Sequence, residues 1–272
     1  MANPYELATV AAAELREQSG VDLYDVVVVL GSGWKEGAVA LGTPTSEVLT
    51  SSLSGFVAPT VPGHGGQILS LKVGALNVAL VSGRVHLYEG NTADQVVHPV
   101  RTGIAAGAKK VVLTNACGGL DAAIAPGNVV VIRDHVNLTA TSPMEGEAPP
   151  EGYGSRFVDL TDLYSARLRA AVHEAVPGLS EGVYVGLRGP HYETVAEINM
   201  VRTIGGSLVG MSTVLEAIAA RHLGAEVLGL SLVSNFAVGV ASGPLNHLEV
   251  LEAGQSAASS LGALLAHVLP VL

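Results

Sequence analysis

Short runs of β-branched and aliphatic residues, each stopping at glycine or at small polar residues, constrain this chain more than any other feature. Residues 26–30 stop at Gly31, 78–82 at Gly83, and 111–114 at a predicted turn over 115–119. Residues 129–132 run into 133–137, 183–187 into 188–192, and 227–233 into Ser234-Asn235. Between them, apolar spacing predicts helices over 93–107, 162–176, 194–203 and 213–223, with another over 246–269 and an Ala-rich one within 1–20. Runs that are apolar at every position suit strands covered on both faces. Their alternation with helices predicts the α/β class: a single domain with a mixed, largely parallel central sheet flanked by helices. In such sheets, ligands bind outside the carboxyl ends of the strands. The polar motifs of this chain lie there.

Composition narrows the function. With 49% hydrophobic, 4% aromatic and 14% charged residues and 33 glycines, the chain suits a Val/Leu-rich sheet under Ala-rich helices. A formal charge of −10 disfavours a nucleic-acid or anionic-membrane partner but permits a small anion held by a few local donors. The one cysteine, Cys117, excludes an internal disulfide. The start of the chain lacks the pattern of a signal peptide and the apolar runs are strand-sized, so the expected location is the cytoplasm. No convincing metal-ligand spacing, G-x-S-x-G elbow or Walker loop occurs, so the nine histidines need not mean a metal.

The motifs gather donors. Leu30-Gly31-Ser32-Gly33 offers backbone N–H groups and a hydroxyl to an anion, or is only a tight turn; as a dinucleotide fingerprint it fails, because Glu36 stands where glycine is needed. His64, between glycines in Val61-Pro62-Gly63-His64-Gly65-Gly66, closes over an anion or is simply exposed. In Gly83-Arg84-Val85-His86-Leu87-Tyr88-Glu89-Gly90, strand alternation predicts Arg84, His86 and Tyr88 on one side and Val85 and Leu87 on the other. The guanidinium suits phosphate, the imidazole donates, and the phenol suits a sugar hydroxyl.

Thr114-Asn115-Ala116-Cys117-Gly118-Gly119 exposes backbone N–H groups, with Cys117 read as a small buried filler. In Gly189-Pro190-His191-Tyr192-Glu193-Thr194, Glu193 is a first-turn helix charge or an acceptor for ring N–H groups, with Tyr192 packing on a planar base. Ser212 and Thr213 cap the helix that carries Glu216, or Ser212 joins an anion site. Asn235 ends the last apolar run, where an amide suits a heteroaromatic ring. His247 opens the C-terminal helix as a surface residue or a ligand group. The irregular stretch 138–155 reads as a binding loop or a surface excursion.

In this order and at these separations, the motifs resemble the trimeric, low-molecular-mass purine nucleoside phosphorylases, over nearly the whole chain. The resemblance implies one nucleoside phosphorylase domain over 1–272 and phosphorolysis of inosine, guanosine and their deoxy forms, with inorganic phosphate as co-substrate. It implies a phosphate site of Ser32, His64, Arg84, His86, Ala116 and Ser212. Tyr88, Met211 and His247 would meet the ribose, and Tyr192, Glu193 and Asn235 the base; His86, Glu193, Asn235 and His247 would be catalytic. Phe157 looks like the aromatic residue that the family donates to a neighbouring subunit, which implies a homotrimer.

Methylthioadenosine phosphorylases, similar in fold, carry aspartate where this chain has Asn235. They are the alternative reading, with a non-catalytic purine or phosphate sensor a third. Ser234-Asn235-Phe236 departs from the family's usual Thr-Asn followed by Lys or an aliphatic residue. His191 stands where serine is common.

Overall fold

The computed structural model describes residues 3–58, 60, 66–240 and 247–272, the side chains of 247–251 excepted. Helix α1 (Pro4–Ser19) starts where the Asn3 side chain accepts the Tyr5 N–H, and it stops at Gly20 in the left-handed conformation. The strands follow as β1 (Val26–Leu30), β2 (Ser46–Leu49), β3 (Gln67–Val73), β4 (Leu76–Ser82), β5 (Lys110–Gly119), β6 (Val129–Asn137), β7 (Ser180–Gly186), β8 (Leu208–Gly210) and β9 (Glu226–Phe236). The further helices are α2 (Lys35–Ala38), α3 (Ala93–Ala105), α4 (Ala166–Ala175), α5 (Val195–Thr203), α6 (Val214–His222) and α7 (His247–Val268).

One mixed sheet runs β2-β3-β4-β1-β5-β8-β7-β6-β9, and β9 also pairs with β5. That second pairing closes β5, β8, β7, β6 and β9 into a ring, while β4, β1 and β5 continue as a parallel sheet. Helices α1, α3 and α6 cover one face through Ala11, Leu15, Val97, Val100 and Leu215. On the other face lie α2, α4 and α7 with Ala38, Leu168, Leu261 and Leu265. Val26–Leu30 is buried at every position, as its unbroken apolar run required. Each such Val or Leu contributes on the order of 1.5–3 kcal/mol by leaving water.

Several boundaries correct the sequence reading. The predicted turn over 115–119 is strand: β5 runs through Gly119 because β9 pairs with it in parallel along its whole length, across a register shift at Cys117/Gly118. Likewise β6 continues past Ile132 to Asn137 beside β7, with its own register shift. Strand β3, with Gln67, Ser70 and Lys72 among its apolar residues, and the short β2 and β8 are not predicted, and β4, predicted over 78–82, begins at Leu76 as the second arm of a hairpin with β3. The segment with Arg84, His86 and Tyr88 is not a strand; it ends in a single 3-10 turn over Leu87–Glu89. Val85 and Leu87 are nevertheless buried, as strand alternation had suggested.

The ends of β1 and β5 set the position of the site. The register of β1 with β5 stops at Val29↔Leu113, whereas β5 and β9 run on together to Gly119 and Phe236. Gly31 and Gly33 fit the gap. A Cβ on Gly31 would lie 2.6 Å from the Asn115 Cα, and one on Gly33 would lie 2.7 Å from the Gly254 Cα of α7. Close backbone packing, then, accounts for both glycines.

Candidate active site

Beyond the β1 terminus lies an open cleft with a cavity volume of about 130 Å³. The ends of β5, β8 and β9 and the turns after β1, β4 and β7 line it. One side is a buried polar network. Arg84 is only 3% exposed; its Nε donates to Glu216 Oε1 at 2.9 Å and its Nη1 to the Thr114 carbonyl at 2.8 Å. Nη1 also reaches the Ser212 hydroxyl at 3.5 Å. Thr114 in turn uses its hydroxyl twice, accepting the Gly31 N–H and donating to the Val29 carbonyl. The strand ends are thereby tied to the turn that presents Ser32.

Below this, Asn115 donates to Thr213 Oγ1 at 2.9 Å and accepts from Ser231 at 2.8 Å, while the Trp34 indole donates to its carbonyl. The Thr213 hydroxyl is thus engaged with Asn115, and the expected cap on α6 is made from the other direction: Glu216 Oε2 accepts the Thr213 N–H at 2.8 Å. His86 stacks on Tyr88 with ring centroids 4.6 Å apart. Glu89 Oε1 lies 2.9 Å from His86 Nδ1 and accepts the His86 backbone N–H, while Oε2 accepts the Thr60 N–H and hydroxyl. Burial opposes ionisation of Glu89, but these four hydrogen bonds outweigh it and hold its carboxyl below the ordinary value.

The opposite side has fewer bonds. Asn235 Oδ1 lies 2.8 Å from the Ser234 hydroxyl, which also reaches the Cys117 carbonyl at 3.2 Å. Asn235 Nδ2 donates to the Phe236 carbonyl. Glu193 is buried beside Tyr192, and burial pushes its carboxyl above the ordinary value. Tyr88 is pushed up to about 12, by burial first and the neighbouring Glu89 second, so its phenol stays protonated. Cys117 lies at the floor; burial raises its thiol to about 12, which keeps it from acting as a thiolate.

Of the residues singled out in the sequence, Ser32, Arg84, His86, Tyr88, Ala116, Tyr192, Glu193, Met211, Ser212 and Asn235 line this one cleft. His64 and the His247 side chain lie outside the described residues. Phe157 is away from it and 88% exposed. The sequence motifs give Glu216 and Tyr184 no part in the site, and Thr114 and Asn115 stand there only within the 114–119 motif, for its backbone N–H groups. A signal existed for one of them: Thr213 and Glu216 have the spacing of a capping box. Among the described residues, no group of three or more His, Cys, Asp or Glu is placed to hold a metal ion, and no helix is long and apolar enough to cross a membrane.

The phosphorylase superfamily matches residues 25–270. The purine nucleoside phosphorylase of Mycobacterium tuberculosis is 53% identical over 98% of this chain and 97% of its own length. The chain belongs to the purine nucleoside phosphorylase family. That of Cellulomonas sp is 49% identical over 98% of this chain and 93% of its own; the Bos taurus enzyme is 39% identical over 87% and 85%. The crystal structure of a schistosoma purine nucleoside phosphorylase in complex with hypoxanthine superposes with a TM-score of 0.89 at 29% identity, covering 98% of this chain and 97% of that one. A Schistosoma mansoni purine nucleoside phosphorylase in complex with inosine gives 0.88 at 28%, over 98% and 96%. The fold is that of the family, and this chain is an enzyme of the purine nucleoside phosphorylase type.

Proposed function

We propose that the chain catalyses the reversible phosphorolysis of 6-oxopurine nucleosides, with inorganic phosphate as co-substrate and no metal or organic cofactor. Products are the free base and ribose or deoxyribose 1-phosphate. The observation that carries this reading is the meeting, in one cleft, of the Arg84–His86–Ser212 donors with Glu193 and Asn235.

Phosphate lies against Ser32, Arg84, His86, Ala116 and Ser212, with His64 closing over it. Ribose rests on Tyr88 and Met211, its 5′-hydroxyl toward His247. The base packs on Tyr192. As the glycosidic bond stretches, the sugar becomes cationic and the purine anionic. The phosphate dianion stabilises the sugar and attacks C1′, while Asn235 and Glu193 hold the leaving base. A neutral amide suits that task, because it hydrogen-bonds the purine without opposing its charge.

In this reading the enzyme is a cytoplasmic single domain over residues 1–272 and works as a homotrimer, with the exposed Phe157 serving a neighbour's cleft. Partners are thus the nucleoside, phosphate and two further copies, with no nucleic acid or membrane. The decisive experiment measures base release from inosine, guanosine, adenosine and methylthioadenosine with and without phosphate. Release from inosine and guanosine that requires phosphate is expected. Equal release without phosphate would replace phosphorolysis by hydrolysis, and preference for methylthioadenosine would replace the substrate class.

A further inference from the structure

Glu216 stands behind the anion-binding side of the cleft, 2% exposed, and is not among the groups that line it. Its two oxygens do different work. Oε1 takes the Arg84 Nε–H at 2.9 Å, and Oε2 takes the Thr213 backbone N–H at 2.8 Å. Thr213 sits at φ 71, ψ −49, in a region that a β-branched residue adopts only when its surroundings enforce it. The residue before it is Ser212, whose N–H points at the Tyr184 hydroxyl at 3.4 Å and whose own hydroxyl faces Arg84 Nη1 at 3.5 Å. One carboxylate therefore fixes both the guanidinium and the backbone bend that carries the serine.

We propose that Glu216 is a positioning residue for the reaction, setting the distance between Arg84 and Ser212 and so the fit of the site to the attacking phosphate. The inference rests on the reading of this cleft as a phosphate site. Simple charge balance makes the opposite prediction. A carboxylate that only neutralises Arg84 weakens binding of a dianion, and its removal improves phosphate affinity. A positioning carboxylate has two acceptors to lose. Glutamine in its place keeps one and turns the other into a donor, facing either Arg84 Nε or the Thr213 N–H.

The test compares Glu216→Gln and Glu216→Asp with the wild type, varying phosphate and inosine separately. Phosphate binding is followed independently as the rise in thermal transition temperature on adding inorganic phosphate. For Glu216→Gln the KM for phosphate is expected to rise about tenfold or more, with the KM for inosine within about threefold. Glu216→Asp keeps both oxygens and is expected to lose less phosphate affinity than Glu216→Gln. In a Thr213→Gly background, where the backbone adopts this φ unaided, the Gln penalty is expected to shrink. A phosphate KM that falls in Glu216→Gln overturns the inference in favour of charge balance. Parallel changes in both KM values overturn it in favour of a general structural role. Wild-type protein that neither requires phosphate nor is stabilised by it removes the phosphate reading, and the inference with it. An unsplit response in a phosphate-dependent enzyme removes the inference alone.

Discussion

The two sides of the cleft are built differently. Around Arg84, the residues Thr114, Asn115, Thr213, Glu216 and Ser231 are buried: the guanidinium meets Glu216 and the Thr114 carbonyl, Glu216 accepts the Thr213 N–H, and Asn115 links the Thr213 and Ser231 hydroxyls, so that β5, β9, α6 and the turn after β4 are tied together. Around Asn235, the amide is bonded, among the described residues, to its chain neighbours Ser234 and Phe236 alone, and Glu193 sits in a place that disfavours its charge. A buried, mutually satisfied network has one arrangement, and changes to it are costly. A side chain held by its neighbours alone is easier to retune. The anion side should therefore resist substitution and the base side should yield new preferences.

The largest effect expected is at Arg84. Arg84→Ala leaves the Glu216 carboxylate buried without its cation and removes a charge-assisted donor, so kcat/KM for phosphate should fall by about 10³-fold, well beyond the change in the KM for inosine. Initial rates at varied phosphate decide it; a larger change in the nucleoside term would remove Arg84 from the anion side.

Next, Asn235→Asp should lower turnover of inosine by about 10²-fold and raise relative use of adenosine, because a fixed negative charge opposes the leaving anion but accepts an exocyclic N–H. An unchanged inosine-to-adenosine ratio would take base recognition away from this residue.

Gly210→Ala tests the wall between the two sides. Its new Cβ would lie 2.1 Å from the Tyr184 hydroxyl, a buried phenol with little room to move. Overpacking of this kind costs about 1–3 kcal/mol, read as a lowered denaturation midpoint. An unchanged midpoint means that Tyr184 is displaced freely.

The smallest effect is a pH dependence. Burial raises the Glu193 carboxyl, so the acid limb of kcat/KM for inosine should fall above the ordinary value of about 4.3 for glutamate, as the acceptor takes up a proton. The sign for stability is opposite. A raised acid contributes stability that is fully present below its unfolded pKa and is lost as pH rises through its folded one. Glu193→Gln should therefore remove that acid limb; a limb that survives the substitution belongs to another group.

How much of this was legible in the sequence differs from element to element. Strand β1 was exact at both ends because five consecutive apolar residues between Asp25 and Gly31 allow one reading. The ends of β5 and β6 were not, since their extension depends on β9 and β7, distant in the chain, lying alongside. Arg84, His86 and Tyr88 were grouped by strand alternation, yet no strand forms there: His86 is extended, and Tyr88 reaches the same cleft from the 3-10 turn over Leu87–Glu89. The turn Gly31-Ser32-Gly33 stood open in the sequence between an anion site and a structural turn; its glycines pack closely against Asn115 and Gly254, Gly33 at φ 81, while Ser32 lines the cleft.

By itself the sequence determined the α/β class, the apolar strands and the short motifs whose order marks the family. These are local properties: periodicity, backbone permissiveness and donor chemistry are written residue by residue. Which carboxylate faces Arg84 was decided by tertiary structure alone. Glu216 is 132 positions away from it in the chain, and only the folded arrangement of α6 and the turn after β4 brings the two within 2.9 Å. A charge on the first turn of a helix looks the same in sequence whether it meets water or a buried guanidinium. The difference lies in what folds over it.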